Sequence, residues 1–241
     1  MLPYWIFFLV PAAAALVSSP HIRFDAGGTS SLHINRTWIL IILALTMIIG
    51  FRYEVGGDWG NYFRYIFGAN NLTFADLATK EDPGYWALNI ISVRLDLGIT
   101  GVNTVGAFIF SIGLIQFCNN LPRPWLALAC AMPYLVTVVA MGYTRQGIAL
   151  GLMMVGFTML SRSRFAAFVI WVLLGALFHK SAVLLIPLAA LTISKNRFFN
   201  VLLVSAGTYL GYIILLKDNA SQLVQIYTDE NIQSSGAFIR L

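Results

Sequence analysis

The chain has 241 residues, of which 59% are hydrophobic and only 10% are charged, and its formal net charge is +5. Soluble domains carry about 25% charged residues, so this composition excludes an ordinary soluble domain and favours a polytopic helical membrane protein. The basic residues form no cluster of the kind that binds nucleic acid. Cys118 and Cys130 lie in or beside apolar segments, which predicts small core residues and neither a disulfide nor a metal site.

Apolar runs of helical length predict an all-α polytopic membrane fold. The first run, 2–17, follows no basic segment and has no clear small-residue cleavage site, which indicates a retained span and not a cleaved signal. The predicted transmembrane helices, about eight in number, are 2–17, 34–51, 101–118, 125–141, 146–160, 165–178, 181–193 and 199–216. They form a single predicted transmembrane domain over 1–241. The polar ending SSGAFIRL, without a closing helix, indicates a truncated chain.

A polar stretch, 52–100, separates the second predicted span from the third and is predicted to be an outer loop. It is introduced by FRYEVGGDWGNYFRY at 51–65, which mixes charges, glycines and aromatic residues directly after an apolar run. Further on, PGYWALNIISVRLDLG at 83–98 predicts an amphipathic helix that is either interfacial or partly inserted in the membrane. Glu81 and Asp82 precede this helix and are predicted to cap its N-terminus.

The distribution of charge between the loops predicts the orientation of the spans. If the loop 18–36 is cytoplasmic and the spans alternate, the inner loops hold seven basic residues and one acid, Asp25, whereas the outer side holds eight basic residues and nine acids. This arrangement follows the positive-inside rule. The inner basic residues are Arg23, Arg36, Arg123, Arg162, Arg164, Lys195 and Arg197. FRYEVGGDWGNYFRY, GYTRQG (142–147) and FHKS (178–181) then share the outer face.

Three predicted spans are short for a membrane. Crossing a hydrocarbon core of roughly 30 Å takes about 20 helical residues, whereas the fifth, sixth and seventh spans have 15, 14 and 13. Arg145, His179 and Lys180 are therefore predicted to lie below the outer surface, in a cavity open to the outside. Charged groups at that depth are costly unless paired or hydrated, which makes these three residues candidates for function.

The segment 51–65 allows two interpretations. As a substrate-binding loop, it would bind an anionic phosphate through Arg52, and Glu54 or Asp58 would act as general base or accept a sugar hydroxyl. As a structural segment, it would be an interfacial aromatic belt with solvated charges. The rings that would stack on sugar faces in the first interpretation are Tyr53, Trp59, Tyr62 and Tyr65.

Arg145 stands between two apolar runs with no acid within thirteen residues on either side. Its partner is either structural, a carboxylate or a helix C-terminus, or the phosphate of a ligand, and the missing local acid favours the phosphate. Gln146 is a second candidate donor and Tyr143 a candidate sugar-binding ring. In FHKS, Lys180 favours anion binding or a neutral His179, although a lone histidine at a helix end is more often a structural hydrogen-bonding group.

No cofactor is expected. The sequence contains no HExxH, no CxxC and no acidic cluster with metal-ligand spacing, so a protein-bound metal is not indicated. It also contains no P-loop and no GxGxxG, which leaves ATP and dinucleotides without support.

Four short motifs follow one another in a distinctive order. They are RYEVGGDWGNY (52–62), EDPGYW (81–86), RQGIA (145–149) and FHKSA (178–182). Their order and gaps resemble the EpsG/Wzy-type family of bacterial O-antigen and exopolysaccharide polymerases, and SGAFIRL (235–241) is similar to a later outer loop of that family. The resemblance implies a GT-C-like glycosyltransferase that joins oligosaccharide repeat units carried on undecaprenyl diphosphate, at the outer face of the bacterial inner membrane.

The resemblance also implies roles for the candidate residues. Arg52 and Arg145, with His179–Lys180, would stabilise the diphosphate that leaves as the sugar C1–O bond breaks. Asp58 or Glu54 would take the proton of the incoming hydroxyl in a direct, inverting and metal-independent transfer, and His179 is a third catalytic candidate. The implied partners are the lipid-linked oligosaccharide, membrane lipid and a protein that regulates chain length.

Three other functions fit parts of the pattern. A ligase acting on the same lipid, like the O-antigen ligases, would differ only in its acceptor. A flippase or transporter of lipid-linked glycan should carry charged residues through the membrane depth and on both faces, whereas the motifs here gather on one face. A membrane acyltransferase should pair its histidine with a carboxylate, and no acid lies near His179 in the sequence.

Overall fold

The computed structural model describes residues 2–18 and 35–186, together with the isolated positions 198, 201–202, 205–206 and 209. The chain forms two compact units, Met1–Leu185 and Ile186–Leu241. The helical bundle and the candidate site both belong to the first unit. The end of the seventh predicted span, nearly all of the eighth and the ending SSGAFIRL lie outside the described residues.

All regular structure in the described part of the chain is helical, as the composition predicts. The α-helices are α1 (Leu2–Val17), α2 (Arg36–Gly50), α3 (Trp59–Ala69), α4 (Pro83–Arg94), α5 (Gly98–Asn119), α6 (Pro124–Ala131), α7 (Thr144–Ser161) and α8 (Phe165–Ala176). A π-helix, Met132–Ala140, continues α6, and 3₁₀ helices cover Phe74–Thr79 and Lys180–Leu185. The seventh predicted span therefore begins as a 3₁₀ turn and not as an α-helix.

Helix α5 is the centre of the bundle, because α2 and α7 both pack against it and α8 packs against α7. Helices α5 and α7 approach closely where glycines meet. A Cβ on Gly113 would collide with the carbonyl oxygen of Gly151, and a Cβ on Gly151 would lie 2.7 Å from the Cα of Phe110. Small residues at a helix crossing allow this close backbone approach, which is common in membrane bundles.

Two hydrophobic clusters fill the interior. The larger one joins α2, α5, α6 and the π-helix around residues such as Ile49, Phe110 and Val136, and Phe7 and Phe8 of α1 pack against it. The smaller one lies where α3 and α4 pack together, and its buried residues are Tyr62, Tyr85, Val102 and Ile148. The second cluster therefore supports the short helices that follow α2.

The outward faces of α1, α2 and α8 are strongly apolar, as expected of surfaces that contact lipid. Their exposed large side chains include Leu9, Val10, Leu40, Leu43, Met47, Ile170 and Leu173. In the described residues, Gly98–Asn119 is the one helix both long and apolar enough to cross a membrane. Trp5–Val17, Arg36–Gly50, Pro124–Ala140 and Phe165–Ala176 are apolar but shorter. The prediction of eight full spans is therefore not confirmed.

The stretch 52–100 is more helical than predicted. Helix α3 begins at Trp59, inside the segment expected to be a loop, and the next two helices are α4 and α5. The helix predicted over 83–98 is shorter than expected, and its polar and apolar residues do not separate onto two faces. It ends at Arg94, and it buries the polar residues Asn89 and Ser92 while Ile91 is 44% exposed. The physical reason is that α4 packs against both α3 and α5, so no single face of it is reserved for an interface.

Candidate functional site

The predicted outer segments meet at one end of the helix bundle, here called the polar end and defined by residues 51–65, 81–86, 142–147 and 177–182. At this end, Thr144 at the start of α7 donates to Asn103 near the start of α5, with 2.9 Å between Oγ1 and Oδ1. At the other end, Arg162 after α7 donates to Asn120 after α5 at 2.8 Å. The bundle thus separates the residues predicted for the two membrane faces.

Arg52 is a buried link between helices and is only 7% exposed. Its Nη1 donates to the carbonyl oxygens of Ile49 at 3.0 Å and Ala140 at 3.3 Å. Its Nη2 donates to Asn103 Oδ1 at 3.2 Å and Thr144 Oγ1 at 2.6 Å. These bonds join the end of α2 to the π-helix, α5 and α7, so the guanidinium predicted to bind phosphate is surrounded by protein acceptors.

Tyr62 is a core residue and not an exposed stacking ring. It is 1% exposed, and its hydroxyl accepts a hydrogen bond from the Thr144 backbone N–H at 2.7 Å. Burial raises the pKa of this hydroxyl, so it stays protonated. The correction follows from helix α3, whose turns direct Tyr62 inward toward Tyr85, at a ring distance of 6.2 Å, while the ring of Phe63 is exposed.

The rest of the 51–65 segment is more accessible. Tyr53 and Glu54 are exposed, and Glu54 has a φ of 51°, in the left-handed region. The rings of Tyr53 and Trp59 meet edge to face at 5.8 Å. Asp58 is partly buried and accepts a hydrogen bond from Asn61 Nδ2 at 3.1 Å. Both candidate carboxylates thus lie on the surface of the polar end or just beneath it.

Arg145 has a carboxylate partner that is distant in the sequence. Its Nη1 lies 3.1 Å from Oδ2 of Asp82, with the side chains 28% and 7% exposed respectively. The guanidinium carbon also lies 5.0 Å from the ring centroid of Tyr65 and 5.9 Å from that of Tyr85. A protein carboxylate therefore occupies one side of Arg145, and the side chain keeps part of its surface accessible.

Asp82 does not cap α4 through its side chain, contrary to prediction. It adopts a left-handed φ of 52°, and its Oδ1 accepts a hydrogen bond from the Lys180 backbone N–H at 3.1 Å. Glu81 is strongly exposed and pairs with Lys180 Nζ at 3.2 Å instead of capping the helix. Both acids bind Lys180, about a hundred positions away, instead of the first turn of α4. The local spacing therefore predicted the wrong partners for both acids.

His179 lies beside this ion pair and is partly buried. Its Nδ1 is buried and has no hydrogen-bond partner among the described residues. Burial lowers the pKa of His179 below its ordinary value of 6.5, and the charges of Arg145 and Lys180 act in the same direction, whereas Asp82 opposes them. The imidazole is therefore neutral near pH 7, one of the alternatives that the FHKS sequence left open.

The remaining candidates lie on either side of Arg145. Tyr143, the residue before α7, and Gln146, in its first turn, are both partly buried. Over residues 2–18 and 35–186, the structure contains no group of three or more histidine, cysteine, aspartate or glutamate residues that could hold a metal ion.

A cleft of about 440 Å³ opens beside Arg145. The residues that line it are Asn61, Arg64, Tyr65, Trp86 and Arg145. The rings of Tyr65 and Trp86 meet edge to face at 5.0 Å, so one wall is aromatic. Within the part of the chain that the structure describes, the lining contains two guanidinium groups and no carboxylate, an arrangement suited to an anion attached to an apolar-faced ring such as a sugar.

Sequence reasoning missed Arg64 and Trp86. Arg64 donates to Asn61 Oδ1 from one helical turn away, and Asn61 in turn donates to Asp58. Helical i,i+3 spacing brings Asn61 beside Asp58, the residue before α3, and Arg64 beside Asn61, so a helical pattern over 58–64 is the signal for this chain of contacts. Trp86 belongs to the EDPGYW motif, and Lys80 Nζ lies 5.3 Å from the centroid of its ring.

The fold and the site define a helical bundle of membrane type with a cationic, aromatic cleft at one end. A family model described as the EpsG family matches residues 35–236, most of the chain. The chain therefore belongs to the EpsG family. Proteins of this family are membrane proteins, and membership implies polysaccharide polymerase activity in general, that is, glycosyl transfer. Searches of curated proteins and of solved structures found no significant match.

Proposed function

We propose that this EpsG-family chain polymerises oligosaccharide repeat units carried on a polyprenyl diphosphate, at the outer face of the bacterial inner membrane. The observation that carries the proposal is the cleft, which presents Arg64 and Arg145 beside the rings of Tyr65 and Trp86. A lipid-linked diphosphate sugar brings together an anion and a ring at the membrane boundary. The cleft offers a binding group for each.

Arg145 is the principal diphosphate ligand in this proposal. A guanidinium has five N–H donors, and Asp82 accepts a hydrogen bond from the Nη1 of Arg145. The remaining donors are free to bind phosphate oxygens in a planar, bidentate geometry. Arg64 supplies a second positive charge from the same lining, and Lys180 and Gln146 are further donors close to Arg145.

Sugar rings are proposed to stack on the aromatic residues around the cleft. Trp86 and Tyr65 line it, and Tyr53 and Trp59, whose rings meet edge to face, are further candidates in the 51–65 segment. Tyr143 adds a ring next to Arg145. Aromatic faces bind the apolar face of a sugar, while its hydroxyls find donors and acceptors on the rim.

The proposed reaction is a direct displacement. The hydroxyl oxygen of the incoming sugar attacks C1 of the lipid-linked sugar, the C1–O bond to the diphosphate breaks, and the configuration at C1 inverts. Asp58, Glu54 or His179 takes the hydroxyl proton, and Asp58 is favoured because Asn61 links it to Arg64 in the cleft. The cations stabilise the charge that accumulates on the departing diphosphate.

Arg52 and Tyr62 have a different role in this proposal. Both hold Thr144, the first residue of α7, through its hydroxyl and its backbone N–H respectively. Because Arg145 follows Thr144 directly, these bonds fix the position from which Arg145 reaches the cleft. The two residues therefore orient the site and do not contact substrate.

The proposal is tested by incubating the purified chain with a lipid-linked repeat unit and measuring linked dimers and longer products. Arg145→Ala is expected to abolish product because the diphosphate loses its main ligand, and Arg145→Lys is expected to fail too, because a single ammonium cannot reproduce the planar fork. Arg64→Ala should reduce product by about tenfold or more, the effect of losing one charge-assisted hydrogen bond.

Arg94→Ala is the matched control. Arg94 is an exposed arginine at the end of α4, and it packs over the ring of Phe74 at 4.8 Å and does not line the cleft. Its loss should leave product unchanged. Normal polymer length in Arg145→Ala would contradict the diphosphate role, and transfer of the glycan only to a foreign acceptor would indicate a ligase. Movement of the lipid-linked unit across liposomes without any linkage would indicate a flippase.

A further inference from the structure

Asp82 has an unusual backbone for its position. It directly precedes α4, where aspartate normally caps the helix with its carboxylate, yet its side chain makes no cap and its φ is 52°. A residue other than glycine in the left-handed region is held there at some cost by the surrounding structure. The contacts of the carboxylate show what holds it.

The two carboxylate oxygens of Asp82 bind two different segments. Oδ2 accepts from Arg145 Nη1 and Oδ1 from the Lys180 backbone N–H, both at 3.1 Å. Two residues along the chain, the Gly84 N–H donates to the carbonyl oxygen of Leu177 at 2.8 Å. Asp82 therefore joins the start of α4 to the start of α7 and to the residues that follow α8.

The geometry points to Asp82 as the positioning residue of Arg145, which sets the direction of its guanidinium without contacting the ligand. Asp82 is buried and does not line the cleft, whereas Arg145 does. With Nη1 held by Asp82 and the guanidinium over the rings of Tyr65 and Tyr85, the remaining donors face the cleft in a fixed orientation. The inference rests on the proposed function for the identity of the bound anion.

If Asp82 positions Arg145, removing the negative charge of Asp82 should change the behaviour of Arg145 even when the fold is kept. A role of Asp82 in packing alone predicts no such change. In Asp82→Asn, the amide oxygen can still accept from the Lys180 N–H, and asparagine tolerates a left-handed backbone. The variant therefore keeps the fold while replacing the ion pair with Arg145 by, at best, a weaker hydrogen bond to a neutral acceptor. Arg145 should then be released from Asp82 and sample orientations that bind an anion less well.

The experiment measures modification of individual arginines in the full-length chain in detergent, by phenylglyoxal and mass spectrometry. In Asp82→Asn, Arg145 should be modified several times faster, while Arg64 keeps its rate. The buried Arg52 reports unfolding, because a misfolded variant would expose it. Inorganic pyrophosphate is the probe of anion binding. In Asp82→Asn, the pyrophosphate concentration that halves the modification rate of Arg145 should be about tenfold higher than in the wild-type chain, as expected for loss of one charge-assisted contact.

Asp96→Asn is the matched control, because Asp96 is an exposed aspartate with a left-handed φ of 55° at the other end of α4. It should change neither quantity. The inference would be overturned if Asp82→Asn left the modification rate of Arg145 unchanged, or if pyrophosphate did not protect Arg145 in the wild-type chain. If the wild-type chain links no repeat units, the proposed function fails, while the modification rates still decide whether Asp82 positions Arg145.

Discussion

Three arginines of the polar end differ in burial, and the difference in burial corresponds to a difference in role. Arg52 is buried with four protein acceptors, Arg145 shares its charge between Asp82 and the cleft, and Arg64 is exposed at the cleft wall. A buried guanidinium whose Nη groups all bind protein acceptors organises structure, whereas an accessible one can bind a ligand.

The first residue-scale prediction concerns Arg52. Arg52→Ala removes four hydrogen bonds and leaves the Thr144 hydroxyl oxygen without its donor, which should lower the free energy of unfolding by about 2–4 kcal/mol. Arg64→Ala removes an exposed side chain and should change it by less than about 0.5 kcal/mol. Thermal unfolding in detergent measures both, and equal midpoints for the two variants would contradict the buried role of Arg52.

His179 leads to a pH prediction. Its folded pKa is lowered below 6.5, the ordinary value that the unfolded chain regains. The unfolded state therefore binds the proton more readily, so the contribution of neutral His179 to stability is present above about pH 6.5 and is lost as the pH falls through the folded pKa. The wild-type Tm should fall more than that of His179→Gln between about pH 7.5 and pH 5.5. Parallel decreases in the two proteins would contradict it.

At the scale of elements, the crossing of α5 and α7 sets the positions of Asn103 and Thr144 at the polar end. The glycines at this crossing are visible in the sequence, but their partners are not, because a contact between helices depends on the three-dimensional arrangement. Helix α3 shows the reverse case. Its aromatic and glycine content indicated a loop, yet packing against α4 and α5 stabilises a helix there.

Gly151 provides a test of this crossing. In Gly151→Ala, the new Cβ would lie 2.7 Å from the Cα of Phe110, so the helices must separate, at a cost of about 1–3 kcal/mol in the free energy of unfolding. Gly60→Ala is the control, because a Cβ on Gly60 in α3 meets no atom of the described residues within 4 Å. That variant should be neutral or slightly stabilised. Comparable Tm values for the two would show that the crossing tolerates a side chain.

At the scale of the whole molecule, the two ends of the bundle differ in chemistry. The polar end gathers four acids with Arg145 and Lys180, namely Glu54, Asp58, Glu81 and Asp82, while Arg123, Arg162 and Arg164 lie in the connections at the opposite end. Loop charge predicted this separation, since basic residues remain on the cytoplasmic side. The structure confirms that the two groups occupy opposite ends, and the membrane face of each end stays a prediction.

Labelling of single cysteines measures that orientation. In a background of Cys118→Ala and Cys130→Ala, a cysteine at the exposed position 53 should react with a membrane-impermeant maleimide in intact cells. A cysteine at the exposed position 123 should react only after the membrane is permeabilised, because the connection between α5 and α6 is predicted to be cytoplasmic. Reaction of position 123 in intact cells would reverse the topology and remove the site from the outer face.

The sequence by itself determined the helical class, the family resemblance and the segments that carry the site, because apolar periodicity and motif order are local properties. Only the tertiary structure decided which residues meet. It paired Arg145 with Asp82 across 63 positions, buried Arg52 and Tyr62, and brought Arg64 and Trp86 to the cleft. Contacts between distant segments follow from helix packing, in which close approach and burial select partners that no local pattern records.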